Sequence, residues 1–153
     1  MDSFQSVVNN QTNQNTEGGH VIEEKKVDKL IMRPTRITPL VYFDPDRALL
    51  ELRGKSSPEN SIQFYKRLLI ALERYAHFGN KDITANFKFE YFNTSSSKCL
   101  FDAFKRLIKV RQRGLALTIN WYYEEFDDDM LEAGEDYSDL LGYKFNFIET
   151  VFN

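Results

Sequence analysis

Cysteine, histidine and glycine are all scarce in these 153 residues, and each scarcity removes a class of chemistry. A single cysteine, Cys99, excludes an internal disulfide and fits a reducing compartment, so a cytoplasmic location is expected. The two histidines are His20, inside a polar N-terminal stretch, and His77. With one cysteine they cannot complete a four-ligand zinc site, and a Ser-His-Asp triad would have only His77 to use. The seven glycines form neither a Walker A loop nor a dinucleotide fingerprint. The longest apolar run, Leu68 to Leu72, is far short of the roughly 20 residues that span a bilayer, and the sequence lacks the basic start and apolar stretch of a signal peptide. At a net charge of −3 it also lacks the positive field that non-specific nucleic-acid binding needs. These absences point away from an enzyme, a cofactor, a metal centre, a membrane partner and a nucleic-acid partner.

What the chain does hold is apolar and aromatic mass. Hydrophobic residues make up 42% and Phe, Trp and Tyr 14%, enough for one core in a chain of one-domain length. Residues 1–27 hold seven Asn or Gln and a single aromatic, Phe4, too little apolar surface to offset the entropy of ordering. They read as a disordered Asn/Gln-rich tail, and residues 28–153 as the domain. The domain opens with strands from Pro39 to Phe43 and Ala48 to Arg53, joined by the turn residues Asp44-Pro45-Asp46-Arg47. A helix follows, capped by Ser57 ahead of Pro58 or by Asn60. It carries Phe64, Tyr65, Leu68, Leu69, Leu72 and Tyr75 as one stripe and ends at Gly79-Asn80. Next come a strand from Ile83 to Phe92 with Phe87, Phe89 and Tyr91 on its core face, and a helix from about Ser96 to Arg113 closed by Gly114. Leu115 to Tyr123 reads as a strand, Asp128 to Leu141 as an acidic helix turning Met130, Ala133, Tyr137, Leu140 and Leu141 to the sheet, and Lys144 to Ile148 as a last strand. The order ββαβαβαβ predicts a single α/β domain with a mixed, mostly parallel sheet, because strand-helix-strand crossovers make parallel neighbours.

Between a buried strand and an amphipathic helix lies Tyr91-Phe92-Asn93-Thr94-Ser95-Ser96-Ser97-Lys98. A helix start leaves backbone N–H groups without partners and carries a partial positive charge, so a hydroxyl there can cap it and a phosphate is electrostatically favoured. Phosphorylation would add about −1.5 to −2 charges without breaking the core. The local pattern leaves two readings open: Asn93, Thr94 or Ser95 is simply the N-cap, or a hydroxyl here is modified.

Three blocks of the chain, Gly54-Lys55-Ser56-Ser57-Pro58-Glu59-Asn60-Ser61, Tyr91-Phe92-Asn93-Thr94-Ser95-Ser96 and Trp121-Tyr122-Tyr123, resemble in order and separation the recurrent blocks of the SiaC-type regulatory phosphoproteins of bacteria. The resemblance spans about Thr38 to Phe147 and implies a STAS-like fold, similar to that of the anti-sigma-factor antagonists. It also implies a non-catalytic protein that switches partners when a hydroxyl at a helix start is phosphorylated. Carried over by position, it makes Thr94 the phosphoacceptor, with Ser95 as second choice. The implied partners are a SiaB-like protein kinase, a serine/threonine phosphatase and an output protein such as a diguanylate cyclase. Asn93, Ser95, Ser96 and Lys98, with Lys105 further along the helix, form the expected partner-binding face. Lys55 and Ser57 depart from the family pattern, where an Arg and an aromatic are more usual.

Two charge runs frame this segment. Lys98, Lys105, Arg106, Lys109, Arg111 and Arg113 face a single acid, Asp102, four residues before Arg106, which makes either a solvated face or a docking surface beside Thr94. Glu124 to Asp139 holds nine carboxylates and no basic residue. The alternative function is a small metal-dependent enzyme using this segment through Asp127, Asp129 and Glu132, but Asp127-Asp128-Asp129 lacks the alternation and central glycine of an EF-hand loop. A solvated helix that steers a basic partner is favoured. Phe87, Phe89, Tyr91, Trp121 and Tyr123 alternate as core residues do, Cys99 is expected to be a buried inert thiol, and His77 to favour its helix dipole.

Overall fold

Aspartate and proline make the tight reversal at Asp44-Pro45-Asp46-Arg47. In a computed structural model that describes residues 26–152, Oδ1 of Asp44 accepts the amides of Asp46 (3.0 Å) and Arg47 (3.3 Å). This closes the turn between β2 (Leu40–Asp44) and β3 (Leu49–Ser56). An edge strand absent from the expected order, β1 (Leu30–Met32), pairs antiparallel with β2. At three residues it is too short to show a period. The first helix, α1 (Ser61–Phe78), is capped by Asn60, whose Oδ1 accepts the Gln63 amide at 3.1 Å. Ser57 is not the cap, since the helix begins only at Ser61 and Ser57 stays in the connecting turn, its amide bonded to the Ile37 carbonyl.

The chain continues through β4 (Ile83–Phe92), α2 (Thr94–Ile108), a 3₁₀ segment over Lys109–Arg113, β5 (Leu117–Glu124), α3 (Asp128–Leu141) and β6 (Asn146–Thr150). The second helix is therefore shorter than expected, its last turns tightening to 3₁₀ before Gly114 reverses the chain at φ +85°. The observed order is βββαβαβαβ. The six strands lie side by side in chain order, β1 to β3 antiparallel and β3 to β6 parallel. Right-handed crossovers on such an order put all three helices on one face. Burial agrees, because Phe43, Leu50, Ala85, Ile119 and the residues in register with them are buried, while Tyr42, Glu51, Asn86 and Asn120 on the opposite face are half-exposed.

The core centres on the fully buried Trp121, ringed by Phe87, Phe104, Tyr137 and Phe145, with its indole N–H donating to the Met130 carbonyl at 2.9 Å. Gly134 lets α3 approach this ring, whereas Leu140, expected toward the sheet, is 75% exposed. A β-bulge causes the other departure. Gly54 pairs with Phe89 but Lys55 with Tyr91, so Glu90 is an extra residue in β4. The alternation flips there, leaving Tyr91 54% exposed and turning Phe92 against the core. At the start of the described residues Val27 packs on the core and the Lys26 carbonyl accepts Arg74, while residues 1–25 of the expected tail lie outside the described residues. No helix among the described residues is long and apolar enough to cross a membrane.

Candidate functional site

Because β3 and β4 are parallel neighbours, α1 and α2 begin side by side at the same edge of the sheet. The Asn93 amide bonds the Ser56 carbonyl at 2.9 Å, extending the strand pairing into the loop. Asn93 then caps α2, its Oδ1 accepting the Ser96 amide at 2.8 Å. Thr94 is consequently the first helical residue and not the cap.

Four hydroxyls follow the cap, and the first three differ in what holds them, Thr94 and Ser95 both being exposed. Thr94 is exposed, and its hydroxyl has no hydrogen-bond partner among the described residues. Ser95 is tied by its Oγ to Ser61 Oγ at 2.7 Å and to Asn93 Oδ1 at 3.3 Å. Ser96 is fully buried, bonded to Ser56 Oγ at 2.8 Å, to the Ser56 carbonyl at 3.2 Å and to Ser61 Oγ at 3.3 Å. Its expected place on a partner-binding face is therefore corrected: the side chain pins the two helix starts together and does not reach the surface. Tyr65 completes the network through its hydroxyl, 2.6 Å from Ser56 Oγ. Burial raises the pKa of that phenol well above the ordinary tyrosine value, more than its bonds to Ser56 and Ser96 lower it, so it stays a neutral hydroxyl.

Ser56, Ser61 and Tyr65 lay outside the sequence expectation as functional positions. The available signal was a pair of hydroxyl-rich segments about 40 residues apart, and only parallel pairing of β3 with β4 brings them into contact. The first turn of α2 is held from the other side as well, by Tyr137 Oη donating to the Ser97 carbonyl at 2.8 Å.

Of the predicted contact residues, Lys98 is exposed one turn after Thr94. Lys105 is also exposed but lies 11 residues on, about 16 Å along the axis at 1.5 Å per residue, beside Asp102 and over the Phe101 ring. Asp102 pairs with Lys105 at 3.5 Å, and the carboxylate expected to reach Arg106 does not. Arg106 and Lys109 converge instead on Glu73 of α1, at 3.4 and 3.1 Å, so part of the basic run clamps two helices together. Cys99 is buried; desolvation, with Asp102 nearby, pushes its thiol pKa up and keeps it protonated. His77 accompanies Glu73 in the same cluster.

The acidic segment is spoken for differently from a metal site. Asp127 accepts the Met130 amide as the cap of α3, and Asp129 and Glu132 are exposed. Among the described residues no three His, Cys, Asp or Glu are grouped so as to hold an ion. The sheet edge that carries Thr94 is thus divided by charge. Arg33, Arg36 and Lys55, without carboxylate partners among the described residues, lie toward β1 and β3, and Glu125, Asp128 and Asp129 lie beyond β5.

Comparison with known proteins agrees with this architecture. A curated relative, an uncharacterized protein of Pseudomonas aeruginosa strain UCBPP-PA14, is 26% identical over 111 residues, covering 72% of this chain and 88% of that protein. SiaC in the crystal structure of diguanylate cyclase SiaD in complex with its activator SiaC from Pseudomonas aeruginosa superposes with a TM-score of 0.74 at 25% identity, over 79% of this chain and 99% of that one. A structure of SiaC of Pseudomonas aeruginosa gives a TM-score of 0.71 at 25% identity, over 80% and 99% of the two chains. The family model of the SiaC family regulatory phosphoproteins matches residues 32–150, and the chain belongs to that family.

Proposed function

We propose that this protein is a non-catalytic cytoplasmic switch whose state is set by phosphorylation of Thr94. A SiaB-like kinase adds the phosphate, a serine/threonine phosphatase removes it, and a diguanylate cyclase is the output partner. The observation that carries the reading is the gradient of hydroxyls at the start of α2: Thr94 exposed and unengaged, Ser95 tethered to Ser61 and Ser96 buried. A kinase needs an accessible oxygen, and a phosphate at the first residue of a 15-residue helix meets the positive end of its dipole. The charge of about −1.5 to −2 arrives one turn from Lys98 and changes the exposed face around Asn93 to Lys98 without touching the buried network. The SiaC relative seen with a cyclase supports the choice of output.

Phosphopeptide mapping after incubation with the kinase tests the assignment. Thr94→Ala is expected to take up no phosphate and to remain folded. Because Asn93 holds the cap, the substitution costs less than the roughly 0.5–2 kcal/mol of a lost cap. Ser95→Ala is expected to remain phosphorylatable, and Thr94→Asp to stay folded while binding the cyclase more weakly than wild type. Phosphate found on Ser95 or elsewhere, or a Thr94→Asp protein that binds like wild type, overturns the reading.

A further inference from the structure

Glu124, Glu125, Phe126 and Asp127 form a tight turn between β5 and α3, closed by the Asp127 amide on the Glu124 carbonyl at 3.0 Å. Phe126 stands third in this turn at φ +70°, where a type II turn takes Gly or Asn. Its side chain is 89% exposed, and its ring meets no other ring or cation among the described residues. Ala48 is the other non-glycine residue with positive φ among the described residues, and it is buried, so core packing offsets its conformation. Among the described residues nothing packs on Phe126 to offset its conformation. A disfavoured backbone and a large ring in water together indicate a residue whose favourable contacts lie in another molecule.

The surroundings define that molecule. Glu125, Asp128 and Asp129 lie within three residues of Phe126 in the chain, exposed and without cationic partners among the described residues, whereas Asp127 is used as a cap and Glu124 accepts the Phe152 amide. Glu124 pairs with Thr150, so Val151, also exposed, leaves the sheet beside this turn. An aromatic knob with an acidic collar complements an apolar pocket with a basic rim. The turn also lies at the same edge of the sheet as Thr94, since both follow the C-terminal ends of parallel strands. We propose that Phe126 is the apolar anchor by which this protein docks on its output cyclase, seated in a pocket rimmed by Lys or Arg. The inference rests on the reading that a diguanylate cyclase is the output.

The test measures binding of the full chain to a SiaD-type diguanylate cyclase from the same organism, with thermal unfolding in parallel. Phe126→Gly removes the ring and suits the turn, so its melting temperature is expected to equal or exceed that of wild type while its Kd weakens at least about tenfold. Combining Glu125→Gln, Asp128→Asn and Asp129→Asn should slow association and flatten its salt dependence. Binding by Phe126→Gly within about twofold of wild type overturns the anchor. In that event Thr94→Asp, measured alongside, still reports on the phosphorylation reading. Self-association of wild type that Phe126→Gly abolishes would assign the ring to a second copy of this chain and overturn its assignment to the cyclase. Failure of wild type to bind the cyclase removes the output assignment and the anchor together.

Discussion

Asp44 shows how one side chain can carry a turn and a pH dependence together. Burial alone would raise its pKa, but the amides of Arg47 and Asp46, the Tyr42 hydroxyl and the charge of Lys29 outweigh it and hold the carboxyl below its ordinary 3.8. A pKa lowered on folding stabilises the native state above the unfolded value, and that contribution is lost as pH falls through the folded one. The melting-temperature gap between wild type and Asp44→Asn is therefore expected at neutral pH and should close as the pH drops below 3.8. Gly134 makes a steric prediction. A Cβ there would stand 2.4 Å from Cδ1 of the buried Trp121 ring. Alanine favours a helix by about 1 kcal/mol over glycine, but overpacking a filled core costs about 1–3 kcal/mol. Gly134→Ala should therefore be destabilised in urea unfolding, most plainly if the indole loses its bond to the Met130 carbonyl. At the site, Asn93→Ala should cost about 1 kcal/mol as a lost cap, in contrast to the near-neutral Thr94→Ala.

At the scale of elements, the amphipathic periods of α1 and α3 were readable because each buries a single stripe, and both ends of α3 agree with the sequence expectation. Where β4 meets the bulge at Glu90, period two predicts the wrong orientation for Tyr91, since an inserted residue leaves no mark in the sequence. The join between α1 and α2 was equally illegible. Glu73 receives His77 from its own helix and Arg106 and Lys109 from the next, at 3.6, 3.4 and 3.1 Å. All four side chains are a third or more exposed or close to it, so the cluster contributes little through solvent screening. Glu73→Gln is expected to lower stability by no more than about 1 kcal/mol, and the difference should shrink in 1 M salt.

For the whole molecule, the sequential strand order leaves one sheet face to the helices and the other to water. The open face is tied by side chains, Asn120 bonding Asn86 at 2.8 Å and Asn146 bonding Asn120 at 2.9 Å across three parallel strands. The buried hydrophobic cluster and its partly buried neighbours run from Val27 to Phe147. Removing residues 1–25 should accordingly leave one cooperative transition with a melting temperature unchanged to within about 2 °C by calorimetry. A larger loss would give the Asn/Gln-rich segment a structural role.

Composition and periodicity by themselves determined the α/β class, the alternation of strands with helices and the location of a hydroxyl cluster at a helix start. Each of these is a local property, carried by period, turn residues and caps along a continuous stretch of chain. Period could not decide which hydroxyl in that cluster is free. Asn93, Thr94, Ser95 and Ser96 are all capable of capping or of modification as residue types. Their roles separate only when β4 lies parallel to β3, because that pairing brings Ser56 and Ser61 against Ser95 and Ser96 and leaves Thr94 facing outward. The exposure of Phe126 was likewise decided by tertiary structure, since neighbouring elements determine whether a phenylalanine in a turn is covered.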